Sequence, residues 1–324
     1  MKKCLVLVNP ASGDGKSMES IPKLEKRLEE SFDQVEIIET REEGQGEKLA
    51  QKACREKVHS LFVIGGDGTI HEIVNGLAEE DHRPILGLLP GGTNNTYYRL
   101  LGENRDLDAA IDDIDLKTTK EVDLGQCNDR FFIYYTCFGR LIDATTSTDG
   151  EEKEKLGPMA YVKNILKALP EDESYQIKLV SDGGNYQGPA SHVYAFLVDQ
   201  VGNLNFSEIS SSLSSGQLYV FILTNAKTTS KLTALKDMVM GQLDKNEDIQ
   251  AITCSQLSIE ELKGESVDLD MDGEMEANLP AQIRVFPKHI RIYLPKEREQ
   301  AKAGVGKREN QEKEDGFAKS KSFE

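Results

Sequence analysis

Val63-Ile64-Gly65-Gly66-Asp67-Gly68-Thr69-Ile70-His71-Glu72 is the stretch on which the fold turns. Before the glycines, Ser60 to Ile64 is a short run of the kind a strand buried on both faces requires. After them, Ile70 to Leu77 places Ile73, Val74 and Leu77 on one face of a helix. The glycines let the backbone approach an anion closely and take positive φ. The helix N-terminus that follows offers unpaired amides and a favourable dipole. Strand, glycine turn and helix in that order suit a phosphate group. The stretch is neither a Walker A loop, lacking Gly-Lys-Ser/Thr, nor a Gly-x-Gly-x-x-Gly dinucleotide fingerprint. Alone, it also fits an ordinary strand–turn–helix with Asp67 and Thr69 as turn and cap residues.

The same alternation extends on both sides. Residues 3–8 form a buried strand ending in Asn9-Pro10, and 17–30 carry Met18, Ile21, Leu24 and Leu28 at helical spacing. Val35 to Ile38 is a strand, Glu47 to Lys57 a helix, and Ile85 to Leu89 a strand running into Pro90-Gly91-Gly92-Thr93. Leu107 to Ile114 is a short helix. This predicts an α/β fold with a doubly wound parallel sheet over residues 1–122, its ligand at the carboxyl ends of the strands. Asn9, Gly65-Gly66 and Gly91-Gly92 all follow strand ends and converge on one edge.

From about Val122 the texture changes. Short apolar or alternating segments recur at Phe131–Thr136, Gln176–Ser181, Val193–Val198, Leu218–Leu223, Ala251–Ile259 and Ile283–Phe286, separated by turns such as Asp182-Gly183-Gly184-Asn185. Residues 123–289 therefore read as an antiparallel β-sandwich, interrupted by helices at Gly157–Leu169 and Lys231–Leu243. A last strand, Ile290 to Leu294, is expected to return to the first domain. Residues 297–324 are rich in Lys, Glu and Gln and predict a disordered polar tail.

Composition narrows the function. The chain has 324 residues and a net charge of −17, which argues against binding nucleic acid through its phosphates or adhering broadly to anionic membranes. Five scattered cysteines with no Cys-x-x-Cys pair argue against a zinc ribbon or a disulfide framework and fit a reducing cytoplasm. The apolar run near the start stops at Val8, too short for a signal peptide, and no run approaches the ~18 residues of a membrane span.

Two further segments carry chemistry. Leu89-Pro90-Gly91-Gly92-Thr93-Asn94-Asn95-Thr96 is a second glycine turn after a strand, suited to a second wall of a phosphate site. Leu269-Asp270-Met271-Asp272-Gly273-Glu274 places carboxylates around a glycine, and an acceptor hydroxyl needs such a base. Each alone also fits an ordinary loop or hairpin. Together and in this order they resemble the diacylglycerol kinase catalytic-domain family of bacterial lipid kinases. The likeness includes Asn9-Pro10-Ala11-Ser12-Gly13, Thr40 with Gly44, Gly65 to Thr69 followed by Glu72 and Asn75-Gly76, and Pro90, Gly92, Thr93, Asn95 and Arg99. Val122-Asp123-Leu124-Gly125, Gly157 with Tyr161, and Asp272-Gly273-Glu274 complete it, over residues 3–295.

The resemblance implies an ATP-dependent, Mg²⁺-assisted lipid kinase, related in fold to NAD kinases. Such a kinase is expected to phosphorylate the hydroxyl of a diacylglycerol-like lipid presented at a membrane surface. It implies a cytoplasmic protein, peripheral at the inner membrane face, with a homodimer as the assembly to test. Carried over by position, Asn9, Thr40, Gly65, Gly66, Asp67, Gly68, Thr69, Glu72, Gly92, Thr93 and Asn95 bind nucleotide. Asp67 lies near the Mg²⁺. The proton acceptor is Glu274 or Asp272, which the sequence leaves open. Asp123 and Ser215 occupy the place of a structural metal site.

Two positions depart from the family. Its Asn-Asp pair reads Asn95-Thr96, and an acidic residue before Gly-x-Leu is Ser215, whose hydroxyl lacks the charge a hard cation favours. These departures keep open a catalytically impaired nucleotide-binding regulator, and a kinase of a soluble alcohol is the other alternative. Helix 157–169, with Lys163 and Lys167 beside Met159, Val162 and Leu166, either meets the membrane or packs on the sandwich. His71, just after the glycine turn, suits a surface or supporting role better than catalysis. The remaining histidines show no metal-ligand spacing.

Overall fold

The computed structural model describes residues 1–12, 16–93, 95–101, 106–139, 174–198, 213–224 and 246–296, with a few positions between 200 and 237. The first half runs β1 (Lys3–Val8), a 3-10 turn at Lys16–Ser20, α1 (Ile21–Glu29), β2 (Gln34–Glu39), α2 (Gln45–Arg55), β3 (Ser60–Gly65), α3 (Asp67–Ala78), β4 (Ile85–Pro90), α4 (Thr96–Leu100) and α5 (Leu107–Asp112). Strands β2-β1-β3-β4 lie side by side and parallel. Successive side chains of β1 explain the layering. Cys4, Val6 and Val8 share a core with Leu24 and Leu28 of α1, while Leu5 and Leu7 pack with Ala50 and Ala53 of α2 and Ile73 of α3. Every residue from Cys4 to Val8 is buried, as a sheet covered by helices on both faces demands.

The second half is antiparallel: β5 (Ile114–Cys127), β6 (Arg130–Phe132), β7 (Tyr135–Phe138), β8 (Tyr175–Ser181), β9 (Asn185–Ala190), β10 (His192–Phe196), β11 (Gln200–Val201), β12 (Leu204–Asn205), β13 (Leu218–Leu223), β14 (Ile249–Cys254), β15 (Gln256–Glu261), β16 (Asp268–Met271), β17 (Glu274–Asn278) and β18 (Ala281–Pro295). The long β18 joins the halves. It pairs parallel with β4 at Ile292↔Leu86, and antiparallel with β5 and β15. One sheet thus runs β2-β1-β3-β4-β18-β15-β8-β9, with β5 and β6 branching from β18.

The other main sheet has the order β14-β13-β10-β7-β16-β17. One of its faces, with Val193, Ala195, Val220 and Ile222, closes a sandwich core against Ile177, Leu179, Ile259 and Ile283. The alternating residues Tyr135, Tyr194, Phe196, Tyr219 and Phe221 lie on the opposite face. They belong to the same core as Ile70, Ile73 and Val74 of α3.

The elements differ from the sequence reading where turns intervene. The expected strand 131–136 breaks into β6 and β7 at Ile133-Tyr134. The expected strand 251–259 breaks at Ser255 into β14 and β15, which lie in different sheets. There the Asp182 carboxylate accepts from the Ser255 amide at 2.9 Å and from its hydroxyl at 2.5 Å. Conversely, 283–286 and 290–294 fuse into β18, with a register shift between Phe286 and Ile290 and Lys288 at φ +53°. Helix α3 begins at Asp67, so part of the glycine turn is already helical. The expected helix 157–169 and tail 297–324 lie outside the described residues, as does most of 231–243, where Thr233, Ala234 and Asp237 are helical.

Candidate functional site

Three strand ends meet at the glycine turns. Gly65 closes β3, and Gly66 is extended before the first turn of α3. A β-carbon at Gly65 would stand 2.6 Å from Thr69 Cβ. One at Gly91 would stand 2.6 Å from Gly65 N, and one at Gly92 would stand 2.5 Å from Gly66 Cα. The turns after β3 and β4 are therefore pressed backbone against backbone, which side chains would prevent. The Gly91 amide donates to Gly65 O at 3.1 Å. From β1, the Asn9 amide donates to Ile64 O at 3.0 Å, and its Nδ2 to Thr69 Oγ1 at 3.3 Å. Thr40 is buried, its amide 2.8 Å from Val8 O.

The remaining expected phosphate-site residues divide by what they touch. Thr93 is exposed at the mouth. Asn95, at φ +48°, closes its own loop by accepting from the Gly92 amide at 2.8 Å and donating to Gly92 O at 2.7 Å. Asp67 Oδ1 accepts from the Tyr97 amide at 3.3 Å, in the first turn of α4. Glu72 accepts from the amides of Gly44 and Gly46 at 3.0 and 2.9 Å. It places negative charge at the N-terminus of α2, where amides lack helical partners. Gly76 permits the close crossing of α2 and α3, since a β-carbon there would lie 2.9 Å from Ala50 Cβ.

The β16–β17 hairpin brings carboxylates to these turns. Asp272, at φ +56°, accepts from the amides of Ile133 at 2.8 Å, Tyr134 at 3.0 Å and Tyr135 at 3.1 Å. Its side chain is 5% exposed. Glu274 stands at the exposed rim, and its Oε1 lies 2.8 Å from where a β-carbon of Gly68 would be. Partial burial raises the Glu274 pKa above the ordinary range. His71 opposes that rise, and Glu276, Asp270 and Glu43 add to it.

A charged cluster missed by the sequence reading lies behind the hairpin. His71 is buried, not superficial, at 1% exposure. Its Nδ1 lies 3.2 Å from Asp272 Oδ2 and its Nε2 2.9 Å from Glu276 Oε2. Burial pushes its pKa down, but Asp272 and Glu276 outweigh burial and hold it at about 9. The imidazole is therefore a cation at neutral pH that donates from both nitrogens. Arg130 donates to Glu276 through Nε at 2.7 Å and Nη2 at 3.1 Å, and through Nη1 to Glu47 of α2 at 3.1 Å. Alternation along β17 could have paired Glu276 with Glu274, but nothing local linked either to His71.

Asp123 and Ser215 meet at a separate turn. Asp123 is buried and accepts from the amides of Gly216 at 2.6 Å and Lys288 at 2.7 Å. Ser215 Oγ accepts from the Gln217 amide at 3.2 Å. Among the described residues no group of three or more His, Cys, Asp or Glu side chains is arranged to hold a metal ion. Nor is any described helix long and apolar enough to cross a membrane.

Two glycine turns facing a hairpin of carboxylates match known proteins in sequence. The diacylglycerol kinase catalytic domain matches residues 3–127, and the YegS C-terminal NAD kinase beta sandwich-like domain matches 141–294. A Streptococcus pneumoniae serotype 4 protein named "Putative lipid kinase" is 34% identical, over 92% of this chain and 100% of its own length. The chain belongs to the diacylglycerol kinase-like lipid kinase family. Other members of the family extend the likeness. The diacylglycerol kinase of Bacillus subtilis strain 168 is 28% identical, over 92% of this chain and 98% of its own. A crystal structure of a "putative diacylglycerol kinase from Bacillus anthracis str. Sterne" superposes with a TM-score of 0.74 at 29% identity, covering 91% of this chain and 95% of that one. The fold expected from the sequence, a parallel α/β half followed by an antiparallel sandwich, is the fold of this lipid kinase family.

Proposed function

We propose that the chain transfers the γ-phosphate of ATP to the hydroxyl of a diacylglycerol-like lipid, with Glu274 as proton acceptor. The observation that carries this reading is the Glu274 carboxylate overhanging Gly68 in the first turn of α3. Phosphates seated on the Gly65–Thr69 amides would then lie beneath a carboxylate whose raised pKa suits proton transfer. Asp272 is the weaker candidate, because both its oxygens already accept backbone amides.

In this reading Asn9, Thr40, Thr69, Gly92, Thr93 and Asn95 shape the nucleotide site, and Glu72 supports it through the Gly44–Gly46 turn. The lipid O–H gives its proton to Glu274 as the lipid oxygen bonds to the γ-phosphorus. The bond from that phosphorus to the β-phosphate oxygen breaks, and ADP leaves. Asp67 fits a magnesium ion at the phosphates, since a carboxylate beside phosphate oxygens is the donor set this hard cation takes. Magnesium, when bound, would offset charge on those oxygens. Asp123 and Ser215 we assign to holding the 213–217 turn through backbone amides. Residues 1–122 would carry the nucleotide and 123–289 the lipid, with the enzyme peripheral at the inner membrane face.

The test is transfer of labelled γ-phosphate from Mg·ATP to diacylglycerol in mixed micelles by the purified chain. Labelled phosphatidate is expected. ATP binding without transfer to any of a broad panel of lipid alcohols would overturn the proposal.

A further inference from the structure

We propose that His71 is a positioning residue for Glu274: gripping Asp272 on one side and Glu276 on the other, it ties the β16–β17 hairpin to α3 and fixes the carboxylate between them over the glycine turn. The inference rests on the reading of Glu274 as proton acceptor.

The geometry is two-handed. His71 follows Gly68 by three positions in α3, so the two lie on one helical face. Its two ring nitrogens reach residues two positions before and two positions after Glu274. The hairpin has left-handed backbone at both Asp272 and Gly273, and beyond Glu274 β17 is the last strand of its sheet. Its position over α3 therefore depends on side-chain anchors. The Ile133–Tyr135 amides hold Asp272, but they belong to the same sheet as the hairpin or to its approach. Among the described residues, His71 of α3 and Arg130 of β6 reach the hairpin through Glu276, and Glu47 of α2 holds Arg130 in turn. A buried cation between two carboxylates is held firmly only while all three charges are present. Removing the imidazole leaves Asp272 and Glu276 without their shared counter-charge, and Glu274 shifts with them.

The experiment uses the full chain and two variants, His71→Ala and Glu276→Gln, with Mg·ATP and diacylglycerol micelles. Both should lose kcat by about 10- to 100-fold, the penalty of an ångström-scale misplacement. KM for ATP should stay within about two-fold, because the glycine turns are untouched. His71→Gln, which keeps one donor, should recover part of kcat. Hydrogen–deuterium exchange should quicken at residues 271–277 in His71→Ala while β1 to β4 stay protected. Unchanged kcat, or a KM for ATP that rises as far as kcat falls, overturns the proposal. If the wild-type chain phosphorylates no lipid, the assignment of Glu274 fails. Unchanged hairpin exchange in His71→Ala would separately show that His71 does not hold the hairpin.

Discussion

The Glu274 carboxylate overhangs the backbone of Gly68, with Oε1 2.8 Å from where a β-carbon at position 68 would stand. One residue belongs to the first turn of α3, the other to the first position of β17. The contact makes the glycine's role specific. A methyl group at 68 would meet the end of a flexible side chain, which can swing away. Gly68→Ala should therefore fold as well as wild type, or better by up to ~1 kcal/mol from improved helix propensity. Its kcat should fall at least about 10-fold, because Glu274 is displaced from the phosphate. Gly65→Ala should behave differently. Its methyl meets the branched Cβ of Thr69 at 2.6 Å, and stability should fall by about 1–3 kcal/mol. Chemical denaturation and steady-state kinetics on both variants separate the cases. An undiminished kcat in Gly68→Ala would move the chemistry away from this contact.

The two acids of Asp272-Gly273-Glu274 should respond in opposite ways to loss of charge. Asp272 accepts three backbone amides and a histidine, so Asp272→Asn turns an amide nitrogen toward donors. Stability should fall by about 3 kcal/mol. Glu274, at the exposed rim, has no such duty, and Glu274→Gln should leave the denaturation midpoint unmoved. Its kcat should drop by about 10²- to 10⁴-fold, the share a positioned base contributes. ATP affinity measured by titration calorimetry should stay close to wild type. Full activity in Glu274→Gln would remove it as the base.

Two titrations set the pH behaviour. Glu274 must be ionised to take a proton, and partial burial raises its pKa. The acid limb of kcat/KM should therefore lie above the ~4.3 of an unperturbed glutamate. His71 acts on stability. Its folded pKa of about 9 exceeds the unfolded 6.5, so the native state holds the proton more tightly. That stabilisation is complete below about pH 6.5 and is lost as pH rises through about 9. At 1.36 kcal/mol per pKa unit it amounts to about 3 kcal/mol. Urea denaturation at intervals from pH 6 to 8, below the range where burial of Cys4, Cys54, Cys127 and Cys254 also couples stability to pH, should reveal the decline, and His71→Asn should abolish it there. A wild-type profile that is flat across that range contradicts a charged His71.

Which features were legible in the sequence follows from how local their causes are. The parallel half was readable because apolar strands and amphipathic helices alternate within short windows, and each glycine turn directly follows its strand. Strand β5, Ile114–Cys127, was not read as a strand, because Lys117 to Thr119 is exposed and polar and the expected helix ran to Ile114, where the strand starts. The break at Ser255 was invisible because its partner, Asp182, lies on a distant turn. The choice between Asp272 and Glu274 stayed open for the same reason. The amides that occupy Asp272 come from residues 133–135, and the histidine from residue 71. Motif and spacing found the acids; the division of labour between them depends on contacts across the fold.

Two buried polar side chains near this cluster should answer substitution with opposite signs. Among the described residues strand β6 pairs with β5 alone, leaving an edge toward α3. Asn75 covers that edge: Oδ1 accepts from the Phe131 amide at 2.8 Å, while Nδ2 donates to Phe131 O at 2.9 Å and to His71 O at 3.0 Å. Asn75→Leu is close in volume but strands the Phe131 amide and carbonyl in the core. It should cost about 2–4 kcal/mol, since each buried group left unpaired carries a penalty of about 1–3 kcal/mol. The Tyr134 hydroxyl is the reverse case. It is buried beside Tyr135 and Phe196, with ring centroids at 5.1 and 5.8 Å, and among the described residues no hydrogen-bond partner reaches it. Tyr134→Phe keeps the ring contacts and removes the unpaired oxygen, so stability should hold or rise by about 1 kcal/mol. Denaturation of the two variants beside wild type tests both signs. A Tyr134→Phe variant less stable than wild type would mean that the hydroxyl finds a partner in solution, and a neutral Asn75→Leu would mean that water satisfies the β6 edge.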